Sequence, residues 1–529
     1  MAVPQSVIYL CSGVKLNNRY EHSVYWSKDS NGKQQQHAYF SGKVTHTFTA
    51  YTFIRKSWSI KVDASMERAR TWNYLFYQNY DGKYYYYFIR DIEYISDNAV
   101  ELFLEIDVLQ TYWFDFNLLS CFVDREHAAS DGIGDNTVDE GLELGDLKVI
   151  DETEIDLQNM CVLVLSTFNP LTTTEENTDT LLSAKYNNVF SGLGIYAVNL
   201  TDWQAWGIKL NQLDGWGKSD GIVSMWMYPQ SLVQLASGYT WTDGKVTKEV
   251  SGVSSFYKDV ARNTKTAGSY TPRNNKLLTY PFNFLYVTNN NGTAATYRFE
   301  RFGDPSACNF RVLGALSPEG AVRMYPLNYN GVQHNYEEGL VLGDYPTCAW
   351  NQDVYKLWLA QNQNTHTLSM VSAGLKIAGG AIAMGASAGV GVVAGAGTLV
   401  SGLHEIGSLL AQKKDMEVQP PQAKGVSSSS LSVANGFHTF CIKWKSITPE
   451  YAKIIDGFFD MYGYKCNRVK VPNIHARENW TYTKTVGCHI SGNFAGDDQT
   501  KIESIFNNGI TFWVNPESVG NYSLNNNVL

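Results

Sequence analysis

The sequence lacks the short motifs that mark most enzymes and metal sites. Its ten histidines do not cluster, and no GxSxG, HExxH, P-loop or GxGxxG-before-a-helix pattern occurs. The eight cysteines include no CxxC pair and no Cys/His cluster at zinc spacing. Two distant carboxylates leave no local signature, so a catalytic pair of that kind stays open. We predict no enzyme activity, no metal site and no cofactor.

Basic residues are also scarce. The net charge is −9 and charged residues make up 18% of the chain, with no basic stripe, which argues against sequence-specific nucleic-acid binding. The opening residues, MAVPQSVIYLCSG, carry no basic region and only a short apolar patch, so they do not resemble a secretory signal. We expect reduced, mostly buried thiols in a protein made in a cytoplasm.

Aromatic residues are abundant, at 13% of the chain with 33 tyrosines and 14 tryptophans. Such side chains suit pleated, half-buried surfaces, and 529 residues exceed what one core organises. We predict a multi-domain α+β protein that is mainly β. The predicted domains are a strand-rich domain at 1–150, an inserted middle domain at 151–270, a strand region with a long loop at 271–425, and an α+β domain at 426–529.

One stretch, IAGGAIAMGASAGVGVVAGAGTLVSGL at 377–403, has 27 residues with no charge and no proline. Its length is enough for a helix to cross a bilayer, which takes about 20 apolar residues. Its eight glycines weaken the helix, because each costs about 1 kcal/mol relative to alanine. The run is therefore apolar enough to enter lipid and too flexible to be a permanent anchor. A flexible loop and a buried core helix are the alternatives.

The residues assigned to membrane insertion are the larger apolar ones of the run: Ile377, Ile382, Met384, Val390, Val392, Val393, Leu399, Val400 and Leu403. Two small-xxx-small spacings would let helices pack closely inside lipid, and they pair Gly385 with Gly389 and Gly391 with Gly395. A helix is predicted on each side of the apolar run. The first begins near Pro346 and Thr347, and the second has Leu399, Leu403, Ile406 and Leu410 on one face. Together they make 371–411 a long loop on two helical stalks.

Five local predictions concern the first 150 residues and the last domain. Asp63 is predicted to cap a helix over ASMERARTWNYLF, at 64–76, and a hairpin follows with strands at 83–95 and 99–114. Thr448 and Pro449 are predicted to open a helix that Gly463 ends. Asp497 is predicted to cap another helix, which ends at Gly509. The acidic, Gly-rich stretch 126–150 is predicted to be a solvated connection rather than a calcium loop.

The middle domain contains several tryptophans, namely Trp203, Trp206, Trp216, Trp226 and Trp241. They could form a carbohydrate-binding face, although aromatic residues in such numbers more often belong to a core or a subunit interface.

Two groups of segments carry a family resemblance. The first is EIDVLQTYWFDFNLLSCFVDREH (105–127) with DEGLELG (139–145). The second is YGYKCNRVKVPN (462–473), CHISG (488–492) and IFNNGITFWVNPESVGNYSLNN (505–526). In this order, and with the apolar run between them, they resemble the tail knob, or distal tail tube, proteins of small short-tailed phages of Gram-positive bacteria, the group that contains phi29.

The resemblance implies tail-tube-like domains at 1–150 and 426–529, and a homo-hexameric tube at the distal end of the virion tail. The tube would join an upstream tail tube or collar protein and conduct double-stranded genomic DNA. It also implies that the apolar loops plug the lumen before infection and then enter the host cytoplasmic membrane as a pore. Two other functions stay open. One is a receptor-binding or wall-degrading tail protein with a glycan-binding middle domain; the other is a pore-forming toxin, which should carry a secretion signal.

Overall fold

The structure is a computed structural model of the chain. It describes residues 6–54, 58–157, 159–176, 185–186, 189–190, 193–218, 221–262, 270–290, 292–303, 307–317, 320–342, 347–349 and 439–529.

In chain order, the strands are β1 (Ile8–Cys11), β2 (His22–Val24), β3 (Val44–Phe48), β4 (Thr52–Ile54), β5 (Ser59–Val62), β6 (Tyr74–Gln78), β7 (Tyr84–Ser96), β8 (Ala99–Ile106), β9 (Phe116–Leu118), β10 (Cys121–Glu126), β11 (Leu147–Asp156), β12 (Met160–Ser166), β13 (Lys185–Tyr186), β14 (Val189–Phe190), β15 (Gly194–Asn199), β16 (Ile222–Pro229), β17 (Val233–Leu235), β18 (Lys248–Val253), β19 (Ser255–Ala261), β20 (Asn283–Thr288), β21 (Ala294–Tyr297), β22 (Ala307–Leu313), β23 (Val322–Pro326), β24 (Leu340–Leu342), β25 (Thr347–Ala349), β26 (Thr439–Ile447), β27 (Tyr464–Lys470), β28 (Trp480–Val486), β29 (Ile490–Gly492) and β30 (Ile510–Trp513). The α-helices are α1 (Ser30–Gly42), α2 (Met66–Ala69), α3 (Val108–Tyr112), α4 (Trp203–Gly215), α5 (Pro449–Tyr462) and α6 (Gly496–Asn508). Strands outnumber helices among the described residues, so the predicted class, α+β and mainly β, is confirmed.

Packing groups the residues into two compact units. Unit 1 combines 1–146, 268–282 and 447–529, and unit 2 combines 147–267 and 283–446. The four-domain division stays a prediction.

Unit 1 contains a seven-stranded sheet in the order β3-β1-β6-β7-β8-β5-β4 and a five-stranded sheet in the order β2-β30-β28-β10-β27. The second sheet joins the two ends of the chain, because β2 pairs in parallel with β30, and β10 pairs antiparallel with β27 and β28. Apolar residues from both ends fill one core, among them Trp113, Phe506 and Phe512. The two groups of segments that carry the family resemblance are therefore brought together in space.

The helices at the C-terminal end follow the predicted start and stop signals closely. Helix α5 begins after Thr448 with Pro449 in its first turn, and Gly463 ends it with a positive φ of 63°. Gly509 ends α6, also with positive φ, although Ala495 rather than Asp497 is the N-cap residue of that helix. Glycine suits both ends because it carries no Cβ to clash in that conformation.

The predicted helix over 64–76 is wrong except for one turn. Only Met66–Ala69 is helical, and Tyr74–Gln78 forms β6. Strand β6 pairs with both β1 and β7, so sheet pairing outweighs the helical spacing in this stretch. The hairpin is confirmed as β7 and β8, but its return strand ends at Ile106, where Asp107 caps the short helix α3.

The described residues of unit 2 include a six-stranded sheet (β17-β18-β15-β12-β16-β25), two four-stranded sheets (β11-β26-β20-β21 and β19-β22-β23-β24) and a β13-β14 pair. Its core includes Trp203, Trp206 and Trp226, which are at most 1% exposed, and Trp216 and Trp241 pack against it. The tryptophans of the middle region thus belong to a core and do not form an open glycan-binding face.

Across the part of the chain that the structure describes, no helix combines the length and the apolarity that crossing a membrane requires.

Candidate functional site: the strands that flank the apolar run

The residues predicted to insert into the membrane all lie outside the described residues, so their role stays a prediction. They are Ile377, Ile382, Met384, Val390, Val392, Val393, Leu399, Val400 and Leu403. The glycines predicted to pack helices together lie outside the described residues as well, namely Gly385, Gly389, Gly391 and Gly395.

The predicted helical stalks fall mostly outside the described residues too. The second stalk lies there entirely, and so does most of the first. The opening residues of the first stalk, Thr347–Ala349, form β25 instead of a helix, so the prediction is wrong for these three residues. The candidate site is therefore defined by the two strands that precede and follow residues 350–438, β25 and β26.

Strand β25 is held at the edge of the six-stranded sheet. It pairs antiparallel with β16, with Met225 opposite Cys348 and Trp226 opposite Thr347. On its other side β16 pairs with β12 along nearly its whole length, and its residues Met225–Tyr228 are at most 1% exposed. The last described residues before the run are thus attached to a strand in the middle of a packed core.

Strand β26 is held more firmly, because it lies between β11 and β20 in its sheet. Trp444 stacks on Phe299 with ring centroids 4.3 Å apart, and its Nε1–H donates a hydrogen bond to Asn283 Oδ1. Asn290 Nδ2 donates to Thr439 Oγ1 at 3.2 Å, at the first residue of the strand. Both flanks of residues 350–438 are therefore fixed by sheet pairing in unit 2.

A group of Glu152, Glu154 and Cys441 lies on the neighbouring strands β11 and β26, close enough together to hold a metal ion. The Cys441 thiol donates a hydrogen bond to Glu152 Oε1 at 2.7 Å, and Lys443 Nζ lies 3.4 Å from the same oxygen. Burial raises the pKa of Cys441 to about 12, so the thiolate that metals prefer is not formed at neutral pH. The hydrogen bond from Cys441 to Glu152 and the ion pair of Glu152 with Lys443 therefore account for the position of the Glu152 carboxylate.

Unit 1 contains a buried cluster of charges that sequence reasoning missed. The carboxylate of Glu140 is paired with both Arg125 and Lys276, and it accepts a hydrogen bond from the backbone N–H of Lys465 at 2.9 Å. The Glu140 side chain is 1% exposed and that of Lys276 is 2% exposed. Burial lowers the pKa of Lys276, and the neighbouring Glu140 opposes that shift. The predicted solvated connection is thus wrong at Glu140, because a salt bridge compensates the cost of burying its charge.

A second buried carboxylate fixes residues 270–274 to helix α5. Asp456 is fully buried and accepts hydrogen bonds from the Tyr270 hydroxyl at 2.5 Å and from the backbone N–H groups of Arg273 and Asn274 at 2.8 and 3.0 Å. No local sequence pattern marks this contact, although a carboxylate buried on a helix needs hydrogen-bond partners. These contacts hold two stretches that are distant in sequence within one unit.

Comparison with known proteins identifies the family. Residues 241–527 match the family described as "Bacillus phage phi29, Tail knob protein gp9, C-terminal domain", and residues 4–117 match "Caudoviral major tail protein N-terminus". The first match alone spans more than half of the chain. The chain belongs to the tail knob protein family.

Individual tail knob proteins are similar to this chain along nearly its whole length. The chain is 25% identical to tail knob protein gp9 of Bacillus phage B103 and 24% identical to that of Bacillus phage phi29, and each alignment covers 98% of both chains. The solved structure of the bacteriophage C1 tail knob protein gp12 has a TM-score of 0.63, with 16% identity, 99% of this chain covered and 100% of that chain. The first two likenesses agree with a structural protein of the phage tail, and the third concerns the fold alone.

Proposed function

We propose that six copies of the chain form a tube at the distal end of the tail, joined to an upstream tube or collar protein. The tube conducts double-stranded DNA, and the apolar runs at 377–403 plug its lumen and then insert into the host cytoplasmic membrane as a pore. The virion protein is made in the host cytoplasm. The observation that carries this proposal is the uncharged run itself, placed in the chain between two anchored strands.

The two anchored strands argue for an apolar run that can move while the sheets of unit 2 stay intact. Strands β25 and β26 each have sheet partners of their own, on β16 and on β11 and β20. A segment inserted between two such strands can change its environment while the sheets keep their hydrogen bonds. The charge of the chain is also compatible with a conduit, because a basic lumen would bind phosphates and slow the passage of DNA.

Dye release from liposomes tests the membrane step. We expect the full chain to release an entrapped dye within some range of pH, and a variant that lacks 377–403 to release none. Light scattering must show that both proteins form the same ring, so that loss of release is assigned to the run.

Two results would contradict parts of the proposal. Release by the shortened variant would move the membrane activity elsewhere in the chain. A ring that releases no dye with either protein at any pH would leave the tube in place and remove the pore.

A further inference from the structure

The outer half of β7 is an exposed, acidic sheet edge. Strand β6 pairs with β7 only as far as Phe88, so among the described residues, 90–96 have a strand partner on one side alone, β8. Tyr94 is 58% exposed and Ile95 is 43% exposed. Glu93 lies directly opposite Glu101 on β8, where like charges repel each other. Lys61 pairs with Glu101, whereas Glu93 has no cation partner among the described residues.

A second exposed edge in unit 1 has the opposite charge. Strand β27 is the last strand of the five-stranded sheet, and β10 is its only strand partner in the part of the chain that the structure describes. Val469 is 74% exposed and Val471 is 50% exposed. Arg468, next to Val469, is exposed and has no carboxylate partner in the described ranges. This edge therefore combines an unpaired cation with exposed apolar side chains.

We propose that the β7 edge, residues 90–96, of one copy docks on the β27 edge, residues 468–471, of the next copy, with Glu93 facing Arg468. The proposal rests on the proposed ring and names the surfaces that close it. Exposed edges with apolar side chains are templates for pairing with another chain, and proteins usually protect them. The acidic Glu93 of the first edge complements the basic Arg468 of the second edge. Both edges also carry exposed apolar side chains that the contact would cover.

The occupant is a second copy of the chain because both halves of the contact lie on the same unit. Two different surfaces that fit each other form a head-to-tail interface, and such an interface repeats around a closed ring. A symmetric dimer would instead place each edge against itself and bring like charges together, Glu93 near Glu93 or Arg468 near Arg468, which is unfavourable.

Charge exchange in the full chain tests the contact. We expect Glu93→Arg and Arg468→Glu each to raise at least tenfold the protein concentration at which the ring dissociates, measured by light scattering. The double variant, in which every interface again pairs opposite charges, should restore the ring. Exposed residues of unit 1 provide controls with matching charge reversals. Glu21→Arg directly precedes β2, at the opposite edge of the five-stranded sheet from β27, and Lys33→Glu lies near Gly82 and Lys83, at the other end of β7; both should leave the ring intact.

The outcomes separate this proposal from the proposed ring. A wild-type chain that stays monomeric at every concentration would contradict the ring. A wild-type ring that neither single variant weakens would overturn the edge contact alone. So would single variants that dissociate the ring with no recovery in the double variant, because the two charges would then act in separate places. Circular dichroism and thermal midpoints must show that all variants fold.

Discussion

His127 shows how the environment of one residue sets a property that its sequence neighbours do not reveal. The ring is 1% exposed, its Nδ1 accepts a hydrogen bond from the Tyr482 N–H at 2.7 Å, and its Nε2 lies 3.1 Å from the Asp460 carbonyl oxygen. Burial, with the nearby Arg477 and Arg125, lowers the pKa of His127 to about 3. The neutral ring with hydrogen on Nε2 satisfies both contacts.

This pKa predicts acid sensitivity of unit 1. Between pH 6.5 and about 3 the unfolded chain binds a proton at His127 that the folded chain does not, so the stability from this residue is lost as pH falls. At pH 5 the loss is on the order of 2 kcal/mol relative to pH 7. We expect His127→Asn to be less stable at pH 7 and to lose less stability on acidification. Chemical denaturation at several pH values measures both effects.

The pH dependence of the stability of the variant must be compared with that of the wild type, because Asp107 contributes a pH dependence of the opposite sign. Burial raises the pKa of Asp107 to about 6, so its contribution to stability grows as pH falls. His489→Asn, at an exposed histidine, is the control and should keep the wild-type profile. An unchanged pH dependence in His127→Asn would contradict the assignment.

Glu140 supports a second prediction at the residue scale. Glu140→Gln leaves Arg125 and Lys276 near each other without their shared carboxylate, and breaking a buried ion pair costs about 3–5 kcal/mol. The free energy of unfolding in urea should fall by about that amount. Glu143→Gln, three residues further on and exposed, should change it by less than about 0.5 kcal/mol. Equal effects of the two changes would show that the cluster adds no stability.

The sequence could not predict this cluster. Glu140 stands in a Gly-rich acidic stretch that is typical of a solvated connection, and its partner Lys276 is distant in the chain. Burial of the carboxylate depends on that distant contact, so no local pattern records it.

At the scale of elements, helices with strong end signals were predictable and short paired strands were not. Thr448, Pro449 and Gly463 mark the bounds of α5 within one residue. The inward face of α5 is not purely apolar, because Ile454 is 69% exposed while Asp456 is fully buried. The hydrogen bonds of Asp456 to residues 270–274 set the side of the helix that faces inward. Periodicity of apolar residues alone misses such a polar contact.

The end of α5 gives a matched pair of glycines. Gly463 has a φ of 63°, and a Cβ there would strike the backbone of Glu126, whereas a Cβ on Gly457 would meet nothing within 4 Å. We expect Gly463→Ala to lower the stability of unit 1 by about 1–3 kcal/mol. Gly457→Ala, inside the same helix, should raise it by about 0.5–1 kcal/mol. Thermal unfolding measures both, and equal shifts would contradict a special role for Gly463.

At the scale of the whole molecule, the family resemblance was visible in segments that the fold later brought together. The segments DREH at 124–127 and YGYKCNRVKVPN at 462–473 include residues of the paired strands β10 and β27. Two segments that carry the family resemblance are therefore neighbours in one sheet. The interleaving of the chain between two units had no signal in composition. It arises from long-range strand pairs such as β2 with β30.

The proposed function depends most on whether the apolar run enters lipid, and charges placed inside the run test this directly. Val392→Asp combined with Val393→Lys puts two charges where lipid would surround them, at a cost of several kcal/mol. The control, Val392→Leu with Val393→Leu, keeps the run apolar. We expect both proteins to form the wild-type ring, with dye release from liposomes lost in the charged variant and kept in the control. Release by the charged variant at the wild-type rate would contradict the account, and failure of that variant alone to fold would show that the run is part of a core.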